Sequence, residues 1–389
     1  MERLKGSFTP FCRREVKMQV GFYGHVRQYH NLKAEIDKAI VDVLETGSYI
    51  TGPTLERFEH ELAQFFGTKY AVGVNSGTDA IWLALMALGI GPGDEVITVT
   101  NTFFATAEAI WIAGAKAVFV DTEPKTNNID VTKIEAAITP RTRAIIPVHL
   151  YGQCAEMDKI AQIARKHNLA LIEDCAQAID AHGDTFKVGE LSDAVAISFI
   201  AHKNLGTPGD AGAVITNRED VAIGVKRLRN HGSLKRSVHS FGFNSRLDDL
   251  HAGILSVKLK YIHEWNNRRQ EIAKMYTSAL KDTSLKLPYE LPGYRHVYHL
   301  YVVETTNGKR DDLLNFLNKN GIDAKCHYPI AIHQQEGFPW GKEAEIVGGV
   351  PNSEWNAANC VSLPMFPELY QEEIDYTIEK VLEWCKANP

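Results

Sequence analysis

The chain has 389 residues, more than one compact core usually holds, which points to two domains. A hydrophobic share of 44%, a charged share of 23% and a formal net charge of −6 at pH 7 describe an ordinary globular protein and argue against a polyanion binder, so no nucleic-acid partner is expected. No stretch has the roughly eighteen unbroken apolar residues of a membrane span, the N-terminus lacks the apolar core of a signal peptide, and the six cysteines (12, 154, 175, 326, 360 and 385) show no zinc or redox spacing; a cytoplasmic protein with reduced thiols, no membrane contact and no metal is expected.

Residues 1–30 show no clear period and read as an irregular arm. Residues 31–47 place Leu32, Ile36, Ile40 and Val43 or Leu44 on one helical face, with Gly47 as the stop. Residues 54–67 repeat the pattern and close on Gly67. From 70 to 216 the chain alternates short apolar runs with amphipathic stretches. The runs at 70–75, 95–100, 116–121, 143–150, 169–174, 194–200 and 212–217 read as buried strands. That order predicts an α/β fold whose sheet is covered on both faces. A long helical signal follows at about 250–280, and residues 285–389 then read as a few strands, 297–305 among them, with helices at "RDDLLNFLNKNG" and at the C-terminus. The expected division is an arm (1–30), a large domain (31–250), a connecting helix (251–284) and a small C-terminal domain (285–389).

Ligands of open α/β sheets bind at the carboxyl ends of the strands, and four groups of residues converge there. "NSGTDA" (75–80) leaves a strand and opens a helix; it is either a phosphate cradle or a capped turn. Phe103, in "TFFATAEA" just past a strand, could stack on a flat ring, although a core phenylalanine is the commoner case. Asp174 ends the strand in "LIEDCAQA", either as a helix cap or as a carboxylate bonded to a protonated ring nitrogen, with Gln177 further along the turn. Lys203, in "SFIAHKNLGTPGDAGA", follows Ser198 by five positions and Asp174 by 29. A desolvated lysine supplies a neutral amine that forms Schiff bases; a single lysine is otherwise a surface charge. Together the four supply the handles that pyridoxal 5′-phosphate requires: phosphate, ring face, ring nitrogen and aldehyde.

These residues, with "GPTLERFE", "PVHLYGQ", "RNHG", "GFNSRLDDLHAGIL" and "HYPIAIH", resemble the DegT/DnrJ/StrS-type aminotransferases that act on unusual sugars. The resemblance runs from about residue 30 to the C-terminus. It implies a fold-type I pyridoxal-phosphate transferase with a mixed, mostly parallel sheet and a smaller C-terminal α/β domain. Lys203 would carry the cofactor aldehyde and Asp174 would pair with the ring nitrogen. Gln177 would hold the ring hydroxyl, Phe103 the ring face, and Gly77, Thr78 and Ser198 the phosphate. Asn244 would reach the phosphate of a neighbouring subunit, which implies a homodimer with shared active sites. His231, His327 and His333 match positions near the substrate; the six-residue spacing of the last two suggests no metal without further ligands.

The family usually has an aromatic and a proline between "SF" and the lysine, where this chain has "IAH". His202 is expected to be a local packing substitution. The implied reaction is a ping-pong transamination from L-glutamate to a keto sugar, most similar to the amination of nucleotide-linked 3-keto-6-deoxyhexoses. Keto-sugar phosphates, keto-cyclitols, a sugar dehydration and a non-catalytic sensor remain as rivals. The basic run Lys226, Arg227, Arg229, Lys235 and Arg236 could meet a nucleotide diphosphate or could be a solvated face.

Overall fold

The computed structural model describes residues 18–235, 238–306 and 308–389. Three helices come first: α1 (His25–Asn31), α2 (Lys33–Thr46) and α3 (Pro53–Phe66). Gly47 and Gly67 end α2 and α3 in the left-handed conformation, φ 66° and 68°, which glycine adopts at least cost. Strands and helices then alternate as β1 (Tyr70–Val74), α4 (Gly77–Ala87), β2 (Glu95–Val99), α5 (Ala105–Ile112), β3 (Lys116–Val120), α6 (Val131–Ile134), β4 (Thr142–Ile145), α7 (Met157–His167) and β5 (Ala170–Asp174). There follow β6 (Ala194–Ser198), β7 (Gly212–Thr216), α8 (Glu219–Leu228), α9 (Asp249–Leu259) and α10 (Ile262–Leu280). The C-terminal part holds β8 (Tyr301–Glu304), α11 (Arg310–Lys319), β9 (Ala344–Ile346), α12 (Pro351–Asn359), β10 (Cys360–Leu363) and α13 (Gln371–Ala387).

The main sheet has the order β1-β7-β6-β5-β4-β2-β3-β9. β7 runs antiparallel to both neighbours and all other pairs are parallel. Alternate residues feed two apolar layers. Ile97, Val118, Ile145 and Ile197 face one layer with Phe58 and Leu62 of α3; Val96, Phe119, Ile172 and Val214 face the other with Ile81 of α4 and Ile110 of α5. A mostly parallel sheet needs this cover on both faces. The chain reverses its direction of travel across the sheet between β2 and β4, a switch point that opens a crevice at their carboxyl ends. A third core, around Tyr276, Tyr301, Leu317, Val361, Ile374 and Val381, joins α10, α11 and α13 to the two-stranded β10-β8 sheet.

Three features differ from expectation. The arm expected to be irregular to residue 30 is helical from His25, where α1 begins. The connecting segment is two helices, because α9 packs on α2 and α3 while α10 packs on α13, and one straight rod cannot serve both. β9, from the C-terminal part, adds an eighth strand to the main sheet through Ala117–Ala344 and Phe119–Ile346 pairs.

Candidate active site

Asp174 is the last residue of β5 and is 5% exposed. Its Oδ2 accepts the Thr106 hydroxyl at 2.8 Å and its Oδ1 the Ala176 N–H at 3.2 Å. A buried carboxylate needs such donors. They fix its orientation at the mouth of the sheet. Lys203 stands on the turn after β6, where its N–H donates to the Ile200 carbonyl at 2.9 Å. The turn is tight: a Cβ on Gly206 would lie 2.5 Å from the Ala201 carbonyl oxygen. Asn204, beside the lysine, is buried and anchors the turn. Its Nδ2 donates to Asn266 Oδ1 at 2.8 Å and to the Val297 carbonyl at 3.2 Å, and its Oδ1 meets His299 Nδ1 at 3.0 Å.

Burial lowers the Lys203 amine from its ordinary 10.5 to about 8, and the charge of Asp174 opposes part of that fall. His202 is pushed down to about 4 by burial and then by the Lys203 charge. Its ring lies 5.5 Å from that of Tyr23, on the N-terminal segment.

The strand-to-helix turn at 75–80 is pressed against the same mouth. Ser76 caps α4, its Oγ accepting the Asp79 N–H at 3.0 Å. The first N–H groups of a helix have no partner within it, so those of Gly77 and Thr78 face an incoming acceptor. A Cβ on Gly77 would lie 2.6 Å from Ser198 Cβ, and one on Gly212 would lie 2.3 Å from the Ser76 carbonyl oxygen. Small residues therefore bring the Ser198 hydroxyl against the positive end of α4. This donor set suits a phosphate.

Gln177 is held at both ends. Its Oε1 accepts the Tyr151 N–H at 2.7 Å and its Nε2 donates to the Tyr328 hydroxyl at 3.0 Å. Phe103 faces Tyr328, with ring centroids 5.7 Å apart, and is 56% exposed. It is not a core residue, which corrects the commoner reading of an isolated phenylalanine. His327 bonds Ser362 Oγ through Nδ1 at 2.8 Å and stacks on Phe22. Burial, and after it the charges of Lys203 and His202, push it down to about 4, which favours the neutral ring.

The remaining expectations lie elsewhere. His231 and Asn244 share an exposed hairpin closed by the Asn230–Asn244 bridge and by the His231 N–H on the Phe243 carbonyl. Neither bonds the Lys203 cluster. His333 is held by the Glu354 carboxylate at 2.9 Å. Arg229 leaves the basic run altogether: it is buried, ion-paired with Glu59 and bonded to the Gly73 carbonyl, so it is structural. Arg236 lies outside the described residues. Thr106, Tyr151 and Tyr328 are site residues that the reading above missed. Among the described residues no group of three or more His, Cys, Asp or Glu is placed to hold a metal ion, and no helix is long and apolar enough to cross a membrane.

A buried lysine with a lowered pKa, an oriented carboxylate and a helix N-terminus lined by small residues thus stand at the carboxyl ends of β5 and β6 and the start of α4. The sequence pattern of the DegT/DnrJ/EryC1/StrS aminotransferase family matches residues 30–382, and the chain belongs to that family. It is an aminotransferase, and its cofactor is pyridoxal 5′-phosphate. It is 44% identical over 363 residues to a pleiotropic regulatory protein of Geobacillus stearothermophilus, covering 92% of this chain and 96% of that one. It is 42% identical over 360 residues to the dTDP-3-amino-3,4,6-trideoxy-alpha-D-glucose transaminase of Streptomyces venezuelae, covering 92% and 94%. The crystal structure of S. venezuelae DesV in complex with a ketimine intermediate superposes with a TM-score of 0.91 at 41% identity, covering 95% of this chain and 99% of that one.

Proposed function

We propose that this aminotransferase moves an amino group from L-glutamate to a nucleotide-linked keto sugar, a dTDP-type 3-keto-6-deoxyhexose, in a two-half ping-pong cycle. The geometry that carries the reading is the Asp174 carboxylate held by Thr106 at the end of β5, the Lys203 turn after β6 and the Ser198 side chain pressed on Gly77 at the start of α4, with the Lys203 amine lowered to about 8 in support. The full-length likeness to a dTDP-sugar transaminase supports the substrate class.

Pyridoxal 5′-phosphate, when bound, supplies an aldehyde that condenses with amines and a ring that accepts the electrons of an adjacent carbanion. Gly77, Thr78 and Ser198 hold its phosphate, Phe103 its face and Gln177 its hydroxyl. Asp174, kept in line by Thr106, accepts a hydrogen bond from the ring N–H and keeps that proton in place; a charge-assisted bond of this kind contributes about 1.5–3 kcal/mol. With its pKa lowered to about 8, Lys203 Nζ would serve as the base that takes the proton from the donor's α-carbon and as the acid that delivers it to the carbon on the cofactor side of the nitrogen. His327 stands close enough to the lysine to feel its charge, and it is neutral, so it is suited to hydrogen-bond an uncharged hydroxyl of the substrate.

A homodimer with shared sites is part of the proposal. Phe103 is exposed, and the hairpin that carries His231 and Asn244 exposes Leu234, Val238 and Phe241 as well. A second subunit would cover both, with Asn244 reaching the neighbouring phosphate. The five described cysteines are free thiols, which favours a reducing, cytoplasmic setting.

The test is turnover. Purified protein with cofactor, L-glutamate and a panel of dTDP-linked and free keto sugars should release 2-oxoglutarate and an amino sugar, fastest with a 3-keto-6-deoxyhexose. Lys203→Ala should release none. Release by that variant at the full rate, or none by the parent with any sugar, would overturn the reading.

A further inference from the structure

Two buried asparagine side chains outside the catalytic set bond one another. Asn204 follows Lys203 in the chain, and Asn266 stands on α10 with no exposed surface. Asn266 Oδ1 accepts the Asn204 Nδ2–H at 2.8 Å. Asn266 Nδ2 donates to the Ile179 carbonyl at 3.1 Å and to Asp180 Oδ2 at 3.3 Å. Ile179 and Asp180 continue the turn that begins at Asp174 and carries Gln177. One side chain therefore bonds the segment of the carboxylate with its nitrogen and the neighbour of the lysine with its oxygen.

The direction of both amides is forced. The carbonyls of Ile179 and Val297 only accept, so each asparagine must turn its nitrogen to them. That leaves Asn266 Oδ1 for Asn204, and Asn204 Oδ1 for His299 Nδ1, which carries the proton of that bond. Every N–H of the two amides has an acceptor. A fully satisfied buried network of this kind fixes the segments it joins, and losing one member leaves the others unpaired.

The far end is held as firmly. Asp180 stands at φ 73°, a left-handed conformation uncommon away from glycine. Its carboxylate is kept there by Arg295 Nη2 at 3.0 Å and His263 Nδ1 at 2.8 Å. The sheet joins the two turns only at their roots, where Asp174 of β5 pairs with Ala196 of β6. Past the strand ends, the chain Asn204–Asn266–Ile179 ties them a second time.

We propose that Asn266 is a positioning residue for the amino transfer, whose amide sets the separation between the Lys203 turn and the Asp174–Gln177 turn. The lysine amine and the ring's carboxylate must act on one flat cofactor, and a misplacement of about 1 Å can cost roughly 100-fold in rate. Asn266 exerts this through Asn204 and touches no reacting atom. The role rests on the assignment of Lys203, Asp174 and Gln177 to the cofactor.

The test compares the parent with Asn204→Ala, Asn266→Ala and the double variant. At saturating cofactor each single variant should lose about tenfold or more in kcat. The double variant should lose no more than the worse single one, because both break the same link. Amide hydrogen exchange of the full chain, with and without pyridoxal 5′-phosphate, gives a reading independent of turnover. Residues 176–181 and 200–207 should exchange about tenfold faster in the variants, with β2 to β5 as protected as in the parent. Should Asn266→Ala fail to fold, Asn204→Ala reads the same link with the Ile179 and Asp180 bonds left in place. Single variants within about twofold of the parent, losses that multiply in the double variant, or exchange that is unchanged or rises evenly through the large domain would overturn the proposal. Failure of the transferase reading would show instead as no turnover by the parent, with the exchange pattern still deciding whether the amide joins the two turns.

Discussion

Lys203 carries a charge that its surroundings disfavour. Burial takes the amine down by two and a half pH units, from 10.5 to about 8, even with Asp174 pulling the other way. That shift raises the share of neutral amine near neutral pH by roughly 300-fold over an ordinary lysine. A neutral amine is what both Schiff-base formation and proton removal require. In the cofactor-free enzyme, acylation of Lys203 by a pulse of amine reagent, read by peptide mass, should rise with pH and level off through a midpoint near 8. Asp174→Asn should move that midpoint lower still, because the carboxylate is the group that favours the charged form. A midpoint at the ordinary lysine value would contradict the described environment.

At the scale of elements, the site depends on how closely α4, β6 and β7 approach. Gly212 opens β7 beneath the α4 N-terminus, and any side chain there meets the Ser76 carbonyl. Gly212→Ala should cost about 1–3 kcal/mol through overpacking. Because the strain falls on the cradle, the variant should also bind cofactor more weakly. Thermal melts with and without pyridoxal 5′-phosphate separate the two effects, and an unchanged melt together with unchanged cofactor affinity would show that the cradle is looser than described.

The strands that build this mouth were legible in the sequence because buried parallel strands are continuous apolar runs, and Asp174 and Lys203 stand out against them. Their partners were not legible. Thr106 lies 68 positions from Asp174 and Tyr328 lies 151 from Gln177, and no local pattern links residues so far apart. β9 is three residues long with little burial, so it has no alternation to read. Arg229 looks like surface charge in a basic run, and only Glu59, 170 positions away, makes it a core residue.

Across the whole molecule, a set of buried histidines at and beside the joint between the main sheet and the C-terminal part resists protonation. His299 bonds Asn204 on the lysine turn, His327 bonds Ser362 of β10, and His296 stacks on Tyr298 at 3.9 Å. Burial pushes His296 from 6.5 to about 3, His202 and His327 to about 4, and His299 well below its usual value, with Lys203 adding to the last three. Once the chain unfolds, each ring takes a proton below about 6.5. Between that value and about 4 the unfolded state therefore binds more protons than the folded one, and stability falls as pH falls. A fully buried ring such as His296 contributes a slope of about 1.4 kcal/mol per pH unit in that window. Glu368, whose carboxyl burial raises, works in the opposite sense, one group against these four and His25, which burial also lowers. Urea unfolding at a series of pH values should therefore show stability dropping steeply from pH 6.5 towards 4. His299→Gln should flatten the drop by removing one titrating ring, whereas a profile that stays level across the window would mean that these histidines are protonated in the folded protein and that the joint is wetter than its burial indicates.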